Sequence, residues 1–112
     1  MADEETRVPI DPRREQLHAE LISVLGSSNV YFQPSGTTRM SYPCIKYSRD
    51  RGQHIYAGNK TYTYRQAYQL IYIDQNPDND VVEKLIEHFP MINYNRSYIA
   101  DNLNHDVLIL YY

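Results

Sequence analysis

Three sets of residues in this 112-residue chain have types that can do chemistry. Cys44, His105 and Asp101 hold the makings of a nucleophile, a base and an orienting carboxylate. Cys44, however, follows Pro43 at the opening of an apolar run, with no nucleophile elbow around it. It reads as a small buried hydrophobe. Asp101, His105 and Asp106, joined by His54 or His88, offer metal-ligating types. The four histidines are scattered, and no two have the spacing that places a ligand pair on one helix face. Asn102, Asn104 and their acidic neighbours read as ties in the loop before the last strand. Glu83 and Glu87 are one helical turn apart, as paired carboxylates would be. The solvated side of an amphipathic helix has the same pattern, and that plainer reading is adopted. No cofactor, no metal and no enzymatic activity are expected.

The remaining chemistry is in charge and aromatic rings. Residues 39–65 contain Arg39, Lys46, Arg49, Arg51, Lys60 and Arg65 against Asp50, a local +5. The whole chain carries −3, so the remainder carries −8. Tyr42, Tyr47, Tyr56, Tyr62 and Tyr64 interleave with those cations, and rings beside cations suit single-stranded nucleic acid. A chain that is acidic overall and has no Gly-Phe-type RNA motif argues against that use. A molecule split into oppositely charged portions also has complementary material for binding copies of itself. The composition includes 12 Tyr, 2 Phe and no Trp. A ring with a hydroxyl suits half-buried sheet faces and protein interfaces. A single cysteine excludes an internal disulfide and fits a reducing compartment. The polar stretch Met1–Ile10 has no apolar signal core, and no run reaches membrane-spanning length, so a cytosolic place of assembly is expected. On that expectation the glycosylation-like triplets at Asn59 and Asn95 are coincidental.

These groups must be positioned by a small α+β domain over residues 11–112, preceded by an acidic arm over 1–10. Asp11 can cap a helix, Pro12 fits its first turn, and Gly26 suits a left-handed stop. Leu17, Leu21, Val24 and Leu25 form its apolar stripe, with Ile22 on the flank. Strands are expected at Val30–Gln33 and Cys44–Ser48. Turns follow at Arg49–Gly52 and Gly58-Asn59, with a short strand around His54–Ala57 between them. The longest strand is Tyr62–Ile73, roughly 40 Å at about 3.3 Å per residue. A turn over Asp74–Asp80 leads into a second helix. Asp78 and Asp80 fall in its first turn, Val82, Leu85, Ile86 and Phe89 form its stripe, and Pro90 stops it. A strand near Met91–Tyr98, a polar loop over Ala100–His105 and a terminal strand complete the order α-β-β-(β)-β-α-β-β. The sheet is expected to be mainly antiparallel.

The terminal strand is apolar on both faces. Val107, Ile109 and Tyr111 alternate with Leu108, Leu110 and Tyr112. Two short helices can roof only one face well, and an under-roofed face tends to find a partner.

The segments Val30–Pro34, Met40–Tyr47, Tyr62 through Asp78, Asn95–Tyr98 and Ala100–His105, set after a capped helix, resemble the small tail completion proteins of tailed bacteriophages. These are also called tail terminator or head–tail joining proteins, and the resemblance covers residues 13–112. It implies a virion protein without catalytic residues, forming a ring, commonly of six subunits. Such a ring caps the tail tube and docks it to the neck below the portal, and genomic DNA passes through its hole. The expected partners are further copies of the chain, the tail tube protein and the neck proteins. Arg39, Arg49, Arg51, Lys60, Tyr62, Tyr64, Arg65, Tyr111 and Tyr112 are the expected contact residues. The alternative is a single-stranded nucleic acid binding module built on the 39–65 cations and tyrosines.

Overall fold

Helix α1, Pro12–Leu25, begins and ends on the residues the sequence marks out. The computed structural model describes residues 10–57 and 63–112, with side chains over 10–50 and 65–112. Asp11 Oδ1 accepts the Arg13 N–H at 3.0 Å, and Pro12 occupies the first turn, where a missing N–H costs nothing. Gly26 closes the helix at φ 83°, donating its N–H to the Ile22 carbonyl at 2.8 Å.

Strands β1 (Val30–Phe32), β2 (Cys44–Ala57) and β3 (Thr63–Asp74) follow, then α2 (Val81–His88), β4 (Ile92–Ala100) and β5 (Leu103–Tyr111). The fold is α+β, with one open five-stranded sheet in the order β1-β2-β3-β5-β4. β1 and β2 run parallel, and the other neighbouring pairs are antiparallel.

Several local features differ from the sequence expectation. Arg49–Gly52 does not turn. β2 runs through it, and the separate strand expected near His54 is the continuation of β2. Arg49 stands opposite Tyr68 and His54 opposite Gln66, so four residues of β2 face Ala67 alone. The chain absorbs its extra residues in a bulge rather than a reversal. The second expected turn, Gly58-Asn59, lies outside the described residues, as does the arm over 1–9. β1 stops at Phe32, because Gln33 takes φ 44°.

The second helix starts at Val81, later than Asp78. Asp74 Oδ1 accepts the Asn76 N–H, Asn76 Oδ1 that of Asp78, and Asn79 Oδ1 that of Val81, each at 3.0–3.1 Å. Short side chains have taken the donors a helix would have used. Of the expected stripe, Leu85 and Phe89 are buried and Val82 is half-buried against the core; Val81 joins them, while Ile86 is 44% exposed. The loop expected over Ala100–His105 is only Asp101-Asn102, with φ 54° and 61°, a two-residue hairpin of the type I′ kind.

Both helices pack on one face of the sheet. Leu17 and Leu21 of α1 and Val81 and Leu85 of α2 join Ile45, Tyr47, Tyr68, Leu70, Tyr72, Leu108 and Leu110 in one core. Tyrosine suits this core because its hydroxyls reach the rim and tie elements together. Tyr47 Oη meets His18 Nδ1 at 2.7 Å, and Tyr72 Oη donates to Asp74 at 2.6 Å. Tyr112 Oη donates to Glu20, which also accepts from His88 Nε2 at 2.8 Å. Helix α1, helix α2 and the chain end thus converge on one carboxylate.

These ties can be tested by substitution and by pH. Asp11 both caps α1 and binds Arg49, Nη2 to Oδ2 at 3.1 Å. Asp11→Ala should lower stability by about 1–2 kcal/mol in thermal or urea unfolding, more than either contact would give alone. Burial pushes the Glu20 carboxyl up, but the hydrogen bonds from Tyr112 and His88 outweigh it and hold it below its ordinary value. A depressed carboxylate contributes stability above its unfolded value and loses it as pH falls through the lower folded one. Melting temperature should therefore fall below about pH 4.5, and Glu20→Gln should flatten that acid limb.

Candidate interaction surface

The sequence's chemical candidates do not converge. Cys44 is fully buried at the start of β2, and burial pushes its thiol up to about 11. In the register, Cys44 is opposite Ile73, which is opposite His105. One strand therefore lies between thiol and imidazole, a gap of roughly 10 Å at the usual strand spacing. Asp101 is exposed in the hairpin turn. Among the described residues, no three His, Cys, Asp or Glu side chains group as a metal would require, and no helix is long and apolar enough to cross a membrane.

The expected contact residues scatter likewise. Arg49 is not in a turn; it lies in β2 and faces inward, bound to Asp11 and Tyr68. Tyr112 is also committed within its own chain. Its ring packs edge-on against Phe89 at 6.1 Å, and the Arg13 guanidinium lies 5.1 Å from the ring centre. Arg39 is exposed in the connection between β1 and β2. Arg65 and Tyr111 are half-buried on β3 and β5. Arg51 and Tyr64 belong to β2 and β3, in a stretch whose side chains lie outside the described set, and Lys60 and Tyr62 lie outside the described residues altogether.

The two faces of the terminal strand separate as the alternation requires. Leu108 and Leu110 lie under the helices. Val107, Ile109 and Tyr111 fall on the other face, with Ile71, Ile73 and Ala67 of β3. No helix among the described residues lies on that face, yet it is less bare than expected. Val107 is 1% exposed, while Ile71 and Ile109 are half-buried. Arg96 stands opposite Val107 and Lys46 opposite Ile71, close enough for their long stems to cover apolar neighbours. The connection 33–43 shields the end near β1, where Tyr31 Oη accepts the Ser41 N–H at 3.0 Å. Gln33 and Pro34 wall a cavity of about 310 Å³ whose other sides are Lys46, Ser48, Gln69 and Ile71.

The most exposed apolar surface lies instead on β4, an edge strand that holds none of the expected contact residues. Every residue from Asn93 to Ile99 is exposed. Tyr94 is 46%, Tyr98 37% and Ile99 75% exposed, half of the large apolar side chains so placed among the described residues. Nine residues make an edge roughly 30 Å long, and among the described residues one side of its backbone is unpaired. Natural edges are usually blunted by charges, prolines or bulges. β4 has one bulge, where the register slips between Tyr94 and Arg96, and one central cation. On either side its apolar groups remain. Tyr98 stacks on His105 at 4.6 Å, with the Arg96 guanidinium 5.2 Å from its ring centre. Tyr94 Oη donates to Asp106 at 2.8 Å. These contacts hold two aromatic rings in place at the surface before any partner arrives. A depression of about 470 Å³ beside them is lined by Pro77, Ser97, Tyr98, Ile99, Asn104 and Asp106.

No family model, curated protein or solved structure matches this chain.

Proposed function

We propose that the chain is a non-enzymatic structural protein of a tailed-phage virion. Copies join head to tail in a ring, with six subunits the expected number, that caps the tail tube and docks it to the neck beneath the portal. The observation that carries the proposal is the β4 edge, long, unpaired among the described residues and apolar at three exposed positions. Preorganised rings and open backbone suit docking to protein. The reading also draws on the resemblance of residues 13–112 to tail completion proteins. DNA passing through such a ring needs no specific contact.

The test is copy number. Quantitative mass spectrometry of purified particles from the phage that encodes the chain should find it in ring-like stoichiometry, about six copies per particle. Its absence from the particle would sink the proposal. The nucleic acid alternative places Tyr47 and Arg49 in the binding surface, but Tyr47 is buried and Arg49 is bound to Asp11. It predicts oligonucleotide binding that weakens steeply with salt, and titration at low ionic strength separates the two readings.

A further inference from the structure

We infer that the head-to-tail contact joins opposite ends of the strands, with the β2–β3 ribbon of one copy seated on the acidic end of the next, where Tyr98 and Ile99 stand. The inference rests on the self-assembly proposed above and names its two surfaces.

The ribbon comes first. β3 and β5 stay paired as far as Gln66, which exchanges both backbone hydrogen bonds with Tyr112 at 3.0 and 3.2 Å. β1 pairs with β2 only as far as Tyr47. Past these points β2 and β3 continue as two strands alone among the described residues, through the pairs Ile55–Arg65, Tyr56–Tyr64 and Ala57–Thr63. Three pairs carry the ribbon roughly 10 Å beyond the sheet. Two strands by themselves are marginally stable in water and gain from a surface to lie on. Residues 51–65 contain three cations and no acid, interleaved with Ile55 and tyrosines. Such a composition suits a partner surface that is both acidic and apolar.

The opposite end of the same strands has that character. β3 ends at Asp74, opposite Asn104 and beside the Asp101-Asn102 hairpin. Segments 74–80 and 98–106 contain Asp74, Asp78, Asp80, Asp101 and Asp106 and no Lys or Arg. Asp80 is paired with Lys84, while Asp78 and Asp101 are exposed. Arg96 lies just inward, with its guanidinium held over the Tyr98 ring, one cation against five carboxylates. Tyr98 and Ile99 stand at this end, in register with His105 and Asn104, and with Pro77 they wall the depression of about 470 Å³. The acidic end therefore also offers apolar groups and a hollow to receive a side chain. A heterologous ring needs two different patches facing opposite neighbours, and opposite strand ends supply them. Ribbon on ribbon would oppose cations, and acidic end on acidic end would oppose carboxylates. Ribbon on acidic end opposes unlike charges, and unlike potentials select that pairing and speed it.

The experiment is photo-cross-linking in assembled particles made with the full chain, using Tyr98→p-benzoylphenylalanine, followed by peptide mapping. The expected product joins position 98 to residues 54–66. Within one copy, position 98 is in register with Ile73 through His105, seven residues of β3 from Gln66 and roughly 23 Å away, so only a second copy can supply that product. Asp78→Lys should lower its yield about tenfold, while Asp78→Glu retains it. Cross-links to any other segment of a second copy, to other virion proteins alone, or to nothing overturn this contact and leave self-assembly standing. Copies that remain monomeric both in pure form and in material released from particles overturn the ring, and this contact with it.

Discussion

Replacing Ile99 with Asp and Tyr98 with Ser is expected to abolish self-association while leaving the monomer's melting temperature within a few degrees of the parent's. Both side chains are exposed, and exposed substitutions usually move stability by no more than about 0.5 kcal/mol. Tyr98 adds a stacking contact with His105, so a somewhat larger shift is allowed for, roughly 1 kcal/mol. Loss at an interface is another matter. Anchors at the centre of a contact cost about 2–4 kcal/mol each when removed, because their pockets are dry and well packed. The carboxylate that replaces the Ile99 side chain would also need partners that an apolar pocket lacks. Together these effects should weaken association by at least a hundredfold, on the order of 3 kcal/mol. Sedimentation of the pure protein and retention in particles both read it. Unchanged association with an intact fold would remove β4 from the contact surface.

The punctuation of this fold was legible in the sequence, and its lateral order was not. Asp11, Pro12 and Gly26 define α1 because capping and left-handed geometry are local properties of those residue types. Arg49–Gly52 misled because glycine beside charged residues marks a bulge as readily as a turn. Asp74–Asn79 misled because side-chain hydrogen bonds hold the segment in turns and delay the helix to Val81. The surface on β4 was hidden for a deeper reason. Tyr94, Tyr98 and Ile99 look like ordinary strand residues. They are exposed because β5, the last strand, inserts between β3 and β4 and leaves β4 outside. That insertion is a long-range choice. The two-faced greasiness of Val107–Leu110 was its signature, since a strand apolar on both sides belongs in the middle of a sheet.

The same two-sidedness sets up the second large effect, a comparison between adjacent residues. Leu108 is fully buried beneath the helices, and Leu70 stands opposite it in the register. Leu108→Ala should cost about 2–5 kcal/mol, the transfer energy of the lost carbons plus the cavity they leave. For a domain of this size that is of the order of a third of the total stability, and a fall in melting temperature of roughly 8–20 °C. Ile109 points to the opposite face, half-buried, with Gln69 and Asn93 as its register neighbours. The truncation Ile109→Ala leaves an indentation that water can fill rather than a sealed void, so about 1 kcal/mol is expected. Unfolding of the two variants side by side measures how unequal the two faces are. Equal costs would mean that a layer outside the described residues seals the second face as tightly as the helices seal the first. The apolar row Ile71-Val107-Ile109 would then be core, and assembly would fall to the exposed groups of the edge strand β4.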